Sequence, residues 1–295
     1  ELNWNFDEFR RLERDAGLHS TYFIATHGCD DIDYSLDDSD LQEEIRELHA
    51  EGCEIGFLMT EDKRNRDNQL TRKQVLLHQL KQDNVGLRQF GFRMDDELRE
   101  VHNSLNPSYS MSSSPQENPG FYRGVGIPYQ SWTKLGKSSH FELPVQYRDR
   151  FLHIGKHNLI SPDDAKAQIK RFYQTSLRSH GLFALDFRIA AFSDIYYCSK
   201  LYTFILALIK TGKTWVTTAN ELASWWQKRS RVVIDMSEYE FSVFFTDDID
   251  NLCLNVTGDV RIAEIDGVKA TIDGSMIKFQ GAKAGGIAVI RLAQK

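Results

Sequence analysis

Up to Arg229 the chain alternates short apolar runs with longer amphipathic ones, and this alternation restricts the fold more than any other feature. Thr21–Ala25, Cys53–Leu58 and Leu87–Phe92 are too short for stable helices and read as strands. The stretches between them carry apolar residues at three- and four-residue spacing. Residues 5–17 place Phe6, Phe9 and Leu12 on one helical face, with Asn5 as N-cap and Gly17 just past the end. Ser39 opens a second helix with Gln42 in the capping-box position and Leu41, Ile45 and Leu48 as its apolar stripe. Thr71 and Gln74 repeat the box ahead of Val75, Leu76 and Leu80. Further helices are expected over 95–104, 161–181, 194–211 and 219–228, the second of them starting at Ser161-Pro162. Further strands are expected over 144–147, 182–187 and 214–217, while the Ser-, Pro- and Asn-rich stretch 104–120 reads as loop. Strands alternating with helices at this spacing imply βα units and a parallel sheet, either curled into a barrel or open and doubly wound. The first strand runs into Ala25-Thr-His-Gly-Cys29, which holds neither G-x-G-x-x-G nor G-x-x-x-x-G-K-[ST], so a nucleotide cradle is not expected.

After Arg229 the helical period disappears. Short alternating runs follow at 231–234, 240–245, 252–256, 260–265, 276–279 and 287–292, with Asp266-Gly267 and Asp273-Gly274 as turn signals. The expected organisation is an α/β domain over 1–229 and a small all-β, sandwich-like domain over 230–295.

Composition narrows the function classes. Of 295 residues, 41% are hydrophobic and 26% charged, the balance of a globular chain rather than a disordered one. The formal charge is −6, so no basic excess attracts phosphate backbones and a nucleic-acid partner is not expected. No apolar run approaches the roughly 20 residues that span a bilayer. No basic segment followed by an apolar one opens the sequence, so a signal peptide is not expected in it, and the chain reads as a soluble cytoplasmic or trimmed exported protein. Cys29, Cys53, Cys198 and Cys253 form no C-x-x-C pair and read as structural thiols.

Over residues 3–229 the chain resembles the bacterial polysaccharide deacetylase (NodB-like) family. The resemblance is carried by Asn3–Phe9, Gly17–Ile24, Leu41–Gly56, Gly91-Phe-Arg93, Gly120–Gly124 with Pro128-Tyr129, Glu142-Leu-Pro144, Phe192-Ser-Asp194, Trp215 and Glu221–Trp226, in the family's order. The block ending in Glu54-Ile-Gly56 is the most specific. The resemblance implies a distorted, incomplete (β/α) barrel that hydrolyses N- or O-acetyl groups on sugars with a divalent metal, such as zinc, held by one Asp and two His. The metal polarises the acetyl carbonyl and acidifies its bound water, while a carboxylate serves as base and a His as acid.

The chain departs from that pattern where the chemistry is concentrated. The family's His-x-x-x-His follows Glu-Ile-Gly; here Leu58 stands at the first His and Asp62 at the second. Counting back from Phe192 puts Arg188 at the acid His, and a guanidinium does not give up a proton usefully. The family's Asp-Asp strand falls before residue 3. The nine His supply no replacement set by spacing: His153 and His157 are four apart, but Ile154-Gly155-Lys156 between them does not read as helix. Catalytic and metal residues are therefore expected to be degenerate, with no cofactor. Asp62, Arg93, Arg123, Tyr129, Trp132, Arg188 and Asp194 are the candidates for a ligand groove, Trp132 as a stacking platform for a sugar ring. Three readings stand. The first is a metal-free pseudoenzyme that binds a carbohydrate or an assembly partner. The second is an active metal-dependent deacetylase with Asp62 as an unusual ligand and further ligands upstream of residue 1. The third is a scaffold for a protein partner.

Overall fold

The computed structural model describes residues 6–28, 32, 34–60, 66–154, 158–212 and 214–294. Two compact units make up the chain, Glu1–Ala223 and Ser224–Lys295.

The first unit begins with α1 (Phe6–Ala16), β1 (Thr21–Ile24), α2 (Ser39–Ala50), β2 (Glu54–Met59), α3 (Arg66–Leu80), β3 (Leu87–Gln89), α4 (Asp96–Leu105) and β4 (Tyr109–Ser110). It continues with β5 (Trp132–Thr133), β6 (Gly136–Lys137), β7 (Phe141–Glu142), β8 (Tyr147–Arg148), β9 (His153–Ile154), β10 (Asn158–Leu159), α5 (Pro162–Arg178), β11 (Leu185–Asp186), α6 (Ala191–Asp194) and α7 (Cys198–Lys210). The last helix, α8 (Ala219–Ser230), crosses the division between the units. Strands β1, β2, β3, β4 and β7 form one parallel sheet in that order, and β11 pairs with β8 in parallel. Backbone pairing does not close these strands into a ring among the described residues.

The registers Phe23↔Gly56 and Leu58↔Arg88 settle which side chains share a face. Because side chains alternate along a strand, Tyr22, Ile24, Ile55, Phe57, Met59 and Leu87 lie on the face that packs under Leu41, Ile45, Leu48, Leu76 and Leu98 of α2, α3 and α4. The opposite face carries Thr21, Phe23, Glu54, Gly56, Leu58 and Arg88, in which Thr21, Glu54 and Arg88 alternate with non-polar residues. A second core joins Phe9, Tyr147, Ile169, Phe172, Cys198, Leu201 and Ile205 from α1, β8, α5 and α7.

At the amino ends of the strands, Glu54 is held by neutral donors among the described residues. Its carboxylate accepts from Tyr109 Oη at 2.5 Å, Thr21 Oγ1 at 2.8 Å and the backbone N–H of Asn220 at 2.8 Å. The Tyr109 ring lies so close to Gly86 that a Cβ there would stand 2.0 Å from Cζ, so this position requires glycine. Behind the sheet, Lys73 donates to Leu105 O at 3.0 Å and Asn106 O at 3.4 Å, placing an ammonium on the last carbonyls of α4. Burial pushes the buried Lys73 down to about 8.

Several sequence expectations shift. Asp38, not Ser39, caps α2, accepting from the N–H groups of Asp40 and Leu41. Thr71 is interior to α3, its hydroxyl donating to Asp67 O at 2.9 Å one turn back, so it opens nothing. The helix expected over 194–211 begins late, at Cys198 as α7, because Asp194 ends the short α6 and Ile195 after it is extended. Residues 214–217 form no strand: Thr218 and Glu221 cap each other's N–H groups, and the preceding residues are the approach to that capping box. His102 lies inside α4, buried, with Nδ1 at 3.3 Å from Ser110 Oγ.

The second unit holds β12 (Val233–Met236), β13 (Glu240–Phe244), β14 (Cys253–Asn255), β15 (Val260–Asp266), β16 (Ala270–Asp273), β17 (Met276–Phe279) and β18 (Ile287–Gln294). They form two antiparallel sheets ordered β12-β13-β18-β15 and β14-β17-β16. Val243, Phe245, Ile277, Phe279, Ala288 and Ile290 fill the space within this unit, and Trp225 packs against them with its N–H on Asp250 O at 3.0 Å. The turn after β15 places Gly267 at φ +92°, where a Cβ would also meet Ile287 O at 2.1 Å.

Candidate ligand site at the carboxyl ends of the parallel strands

The carboxyl ends of β3, β8 and β11 bring together a cluster of charges that the separate motifs do not reveal. Arg88 on β3 forms an ion pair with Asp186 on β11. This contact joins the five-stranded sheet to the two-stranded one. The Arg88 guanidinium also sits over Phe92, 4.3 Å from the ring centroid, and 5.4 Å from that of Phe23. Arg148, at the end of β8, occupies the same Phe92 ring at 4.8 Å and Phe151 at 4.8 Å. Two guanidinium groups thus share one aromatic ring, an arrangement that replaces water around the cations with a polarisable π surface.

Arg148 is only 3% exposed. It donates to two backbone carbonyls, Pro115 O at 2.7 Å and Gln116 O at 3.2 Å. Its Nε is buried without a hydrogen-bond partner, as is Gln89 Oε1. Burial pulls Arg148 down to about 10, against the opposing pull of Asp186. The next residue, Asp149, is almost fully buried and accepts from Arg188 Nε at 2.9 Å. Burial pushes its carboxyl up to about 6, and facing Asp186 adds to this, while Arg188 pulls the other way. Arg188 is the accessible member of the set, its side chain 53% exposed.

Next to this cluster lies a second polar network. Glu142, fully buried, accepts from the N–H groups of Ser112 at 2.7 Å and Ser113 at 2.6 Å. Tyr129 pairs its backbone with that of Glu142, and its hydroxyl is 3.0 Å from Ser113 Oγ. Burial pushes the Tyr129 phenol up to about 12.

The sequence candidates separate on these contacts. Arg188 belongs to the charge cluster, where it pairs with Asp149, while Asp186 is held by Arg88. Arg93 follows Phe92 directly and is exposed. Arg123 is exposed at φ +51° and stacks only on neighbouring Tyr122, at 5.3 Å. Trp132 is 75% exposed on the β5–β6 hairpin. Arg123, Tyr129 and Trp132 take part in none of the cluster's contacts. Asp62 lies outside the described residues, as does His157, and the Asp194 backbone ends α6. Arg88, Arg148 and Asp149 escaped the sequence reading. Their signal was charge inside otherwise apolar strand runs, Leu87-Arg-Gln and Val145-Gln-Tyr-Arg-Asp.

The described residues do not fit a divalent metal. Leu58 has no donor atom, and its register neighbour on the same face is the Arg88 guanidinium. Arg188 places a second cation on the buried Asp149. A divalent ion here would displace or repel the guanidinium groups that pair with Asp186 and Asp149. Among the described residues no group of three or more His, Cys, Asp or Glu is clustered for metal binding.

No protein-family model and no curated protein sequence matches the chain. Among solved structures, a protein from Mycobacterium smegmatis assigned as a polysaccharide deacetylase superposes with a TM-score of 0.60 at 14% identity, over 80% of this chain and 81% of its own. A polysaccharide deacetylase from Bordetella bronchiseptica assigned to O-antigen biosynthesis matches 75% of this chain and 84% of its own at 16% identity, with a TM-score of 0.36, too low to carry structural detail. Among the described residues no helix is long and apolar enough to cross a membrane. The likeness to the Mycobacterium smegmatis protein is one of fold: this chain shares the α/β architecture of a polysaccharide deacetylase.

Proposed function

We propose that this is a polysaccharide-deacetylase-like protein of carbohydrate metabolism that binds a saccharide at the carboxyl ends of its parallel strands and does not carry out metal-dependent hydrolysis. In this reading residues 1–229 are a distorted, incomplete (β/α) barrel and residues 230–295 an accessory β domain. The observation that carries it is the pairing of Arg88 with Asp186 and of Arg188 with Asp149 at that end of the strands. Those two ion pairs put fixed cations where hydrolysis of an acetyl group would need an exchangeable ligand sphere and a proton donor. What remains suits recognition. Guanidinium N–H groups form planar forks for sugar oxygens, and an exposed indole such as Trp132 offers an apolar face to a pyranose.

Metal titration by calorimetry, run beside an acetate-release assay on acetylated amino-sugar oligomers, tests the proposal. The expected result is no stoichiometric uptake of zinc, nickel or cobalt, no acetate, and glycan binding weakened by Arg188→Ala. Stoichiometric metal together with chelator-sensitive acetate release overturns it in favour of an active deacetylase using Asp62 and residues upstream of Glu1. No glycan binding, with a protein co-purifying instead, overturns it in favour of a scaffold.

A further inference from the structure

The four-stranded sheet of the second unit has two edges, and they are built differently. β15, at one edge, is interrupted by a register shift between Ile262 and Glu264, and its Glu264 and Asp266 are held by Arg291 of β18. A bulge and charged side chains are the usual means of keeping an edge from pairing with another chain. β12, at the other edge, has no bulge and no Lys, Pro or Gly, and Val233–Met236 pair with β13 in unbroken register. Three of its residues are large, apolar and exposed, Val233 at 54%, Ile234 at 43% and Met236 at 72%. Ile234 and Met236 stand opposite Val243 and Phe241, so they lie on the side of the sheet that forms the core. The turn after β12 fixes which backbone groups face outward. Ser237 N–H donates to Glu240 O at 2.8 Å, so the bonded pairs with β13 fall at Ser237, Asp235 and Val233. The N–H and C=O groups of Ile234 and Met236 therefore point away from β13.

We propose that β12 is the seam of a symmetric dimer, pairing antiparallel with β12 of a second copy so that the two sheets run on as one. Charge selects this occupant. Arg231, just ahead of β12, and Asp235 stand four residues apart, so an antiparallel copy of the same segment brings each Arg231 to the other copy's Asp235. Asp235 is exposed and, among the described residues, in no ion pair. Arg231 meets Asp247 through Nε at 3.3 Å, which leaves its Nη fork for a second acid. A register centred on Ile234 sets the two Ile234 side chains opposite each other and Met236 opposite Val232, an apolar row on the core side of the sheet. It leaves Arg231 diagonal to Asp235 of the second copy, within reach of a long side chain. Centring on Asp235 would set like charges face to face. Centring on Val233 would place the Val232 N–H, already on Arg229 O at 3.2 Å, in the innermost bonds. A seam this short buries little area, so the dimer belongs to the weak class that forms and parts with concentration.

Sedimentation velocity of the full chain over a roughly hundredfold range of concentration, with hydrogen exchange at both ends of that range, tests this. The expected result is a monomer–dimer equilibrium in which the amides of Ile234 and Met236 exchange more slowly as dimer forms. Ile234→Pro removes an outward N–H and leaves the bonds to β13 in place, so it should abolish association. Arg231→Asp and Asp235→Arg should each weaken association about tenfold, because like charges then meet across the seam. An equimolar mixture of those two variants should regain it, because every pair in the mixed dimer is again of opposite sign. Circular dichroism melting of each variant verifies folding, and the charge variants decide the outcome if Ile234→Pro does not fold. A monomer at every concentration overturns the proposal; slow exchange at Ile234 and Met236 in that monomer would mean that another part of the same chain covers the edge. A dimer that neither Ile234→Pro nor charge reversal weakens overturns the seam. Weakening in both charge variants without recovery on mixing overturns the antiparallel pairing.

Discussion

The two ends of the parallel strands handle buried carboxylates in opposite ways. At the amino ends, the donors that Glu54 faces among the described residues are neutral, the hydroxyls of Tyr109 and Thr21 and the N–H of Asn220. At the carboxyl ends, Asp186 and Asp149 each face a guanidinium. A ring of neutral donors fixes a carboxylate by direction and distance, and it holds β1, β2, β4 and the start of α8 in one joint. A guanidinium partner fixes it by charge, which can be redistributed when another charge arrives. The amino ends therefore serve as a clasp, and the carboxyl ends are where the proposed ligand site lies.

Removing Arg88 is the strongest test of this contrast. Arg88→Ala strands Asp186, which is 8% exposed, and should cost ~3–5 kcal/mol in urea unfolding, as expected when one partner of a buried ion pair is deleted. Asp186→Asn in the same chain should restore a good part of that loss; failure to do so would mean that the stacking on Phe92, not the charge, is what matters. At the other end, Glu54→Ala leaves three donors without their acceptor and should cost about 3 kcal/mol. Glu54→Gln keeps one acceptor oxygen and should lose less. If the two variants are equally damaged, the clasp depends on charge after all and the contrast fails.

A smaller effect, with a pH signature, is expected for Arg188→Ala. The guanidinium is half exposed, so the loss near neutral pH should be about 1–2 kcal/mol. Asp149 has a raised carboxyl, so its neutral form is favoured in the folded chain and ionisation is the state that needs Arg188. The penalty should therefore be present above about pH 6 and disappear as pH falls through 6, where Asp149 protonates. A pH-independent penalty would remove Asp149 as the group Arg188 serves. The smallest effect belongs to Trp132→Ala: at 75% exposure, stability should shift by no more than ~0.5 kcal/mol, while saccharide affinity falls. A large loss of stability with affinity unchanged would make Trp132 a packing residue.

How much of this was legible in the sequence depended on whether the determining contact was local. The apolar stripe of α2 and the Ser161 cap of α5 depend on neighbours within a turn, and the pattern located them. The stretch 214–217 failed because its β-branched residues suit a strand, but no strand is there to pair with and the capping box claims its end. The helix expected over 194–211 is present but starts late, at Cys198, next to Tyr197, whose hydroxyl reaches Ile160 O across the fold. At the site, the substitution of Leu58 and Arg188 into the expected motif was readable position by position. The identity of Arg188's partner was not, because Asp149 lies on a different strand and only the fold brings the two together.

The shared Phe92 ring has a consequence for anyone trying to build a metal centre into this protein. Placing a His at Leu58 would set a new ligand beside Arg88, whose charge would resist the ion, and deleting Arg88 first would leave Asp186 stranded. Each single step toward a metalloenzyme is downhill in stability, and only several simultaneous changes cross the gap. The paired arginines act as a ratchet, and a library that varies positions 58, 88, 149, 186 and 188 together is the shortest route past it.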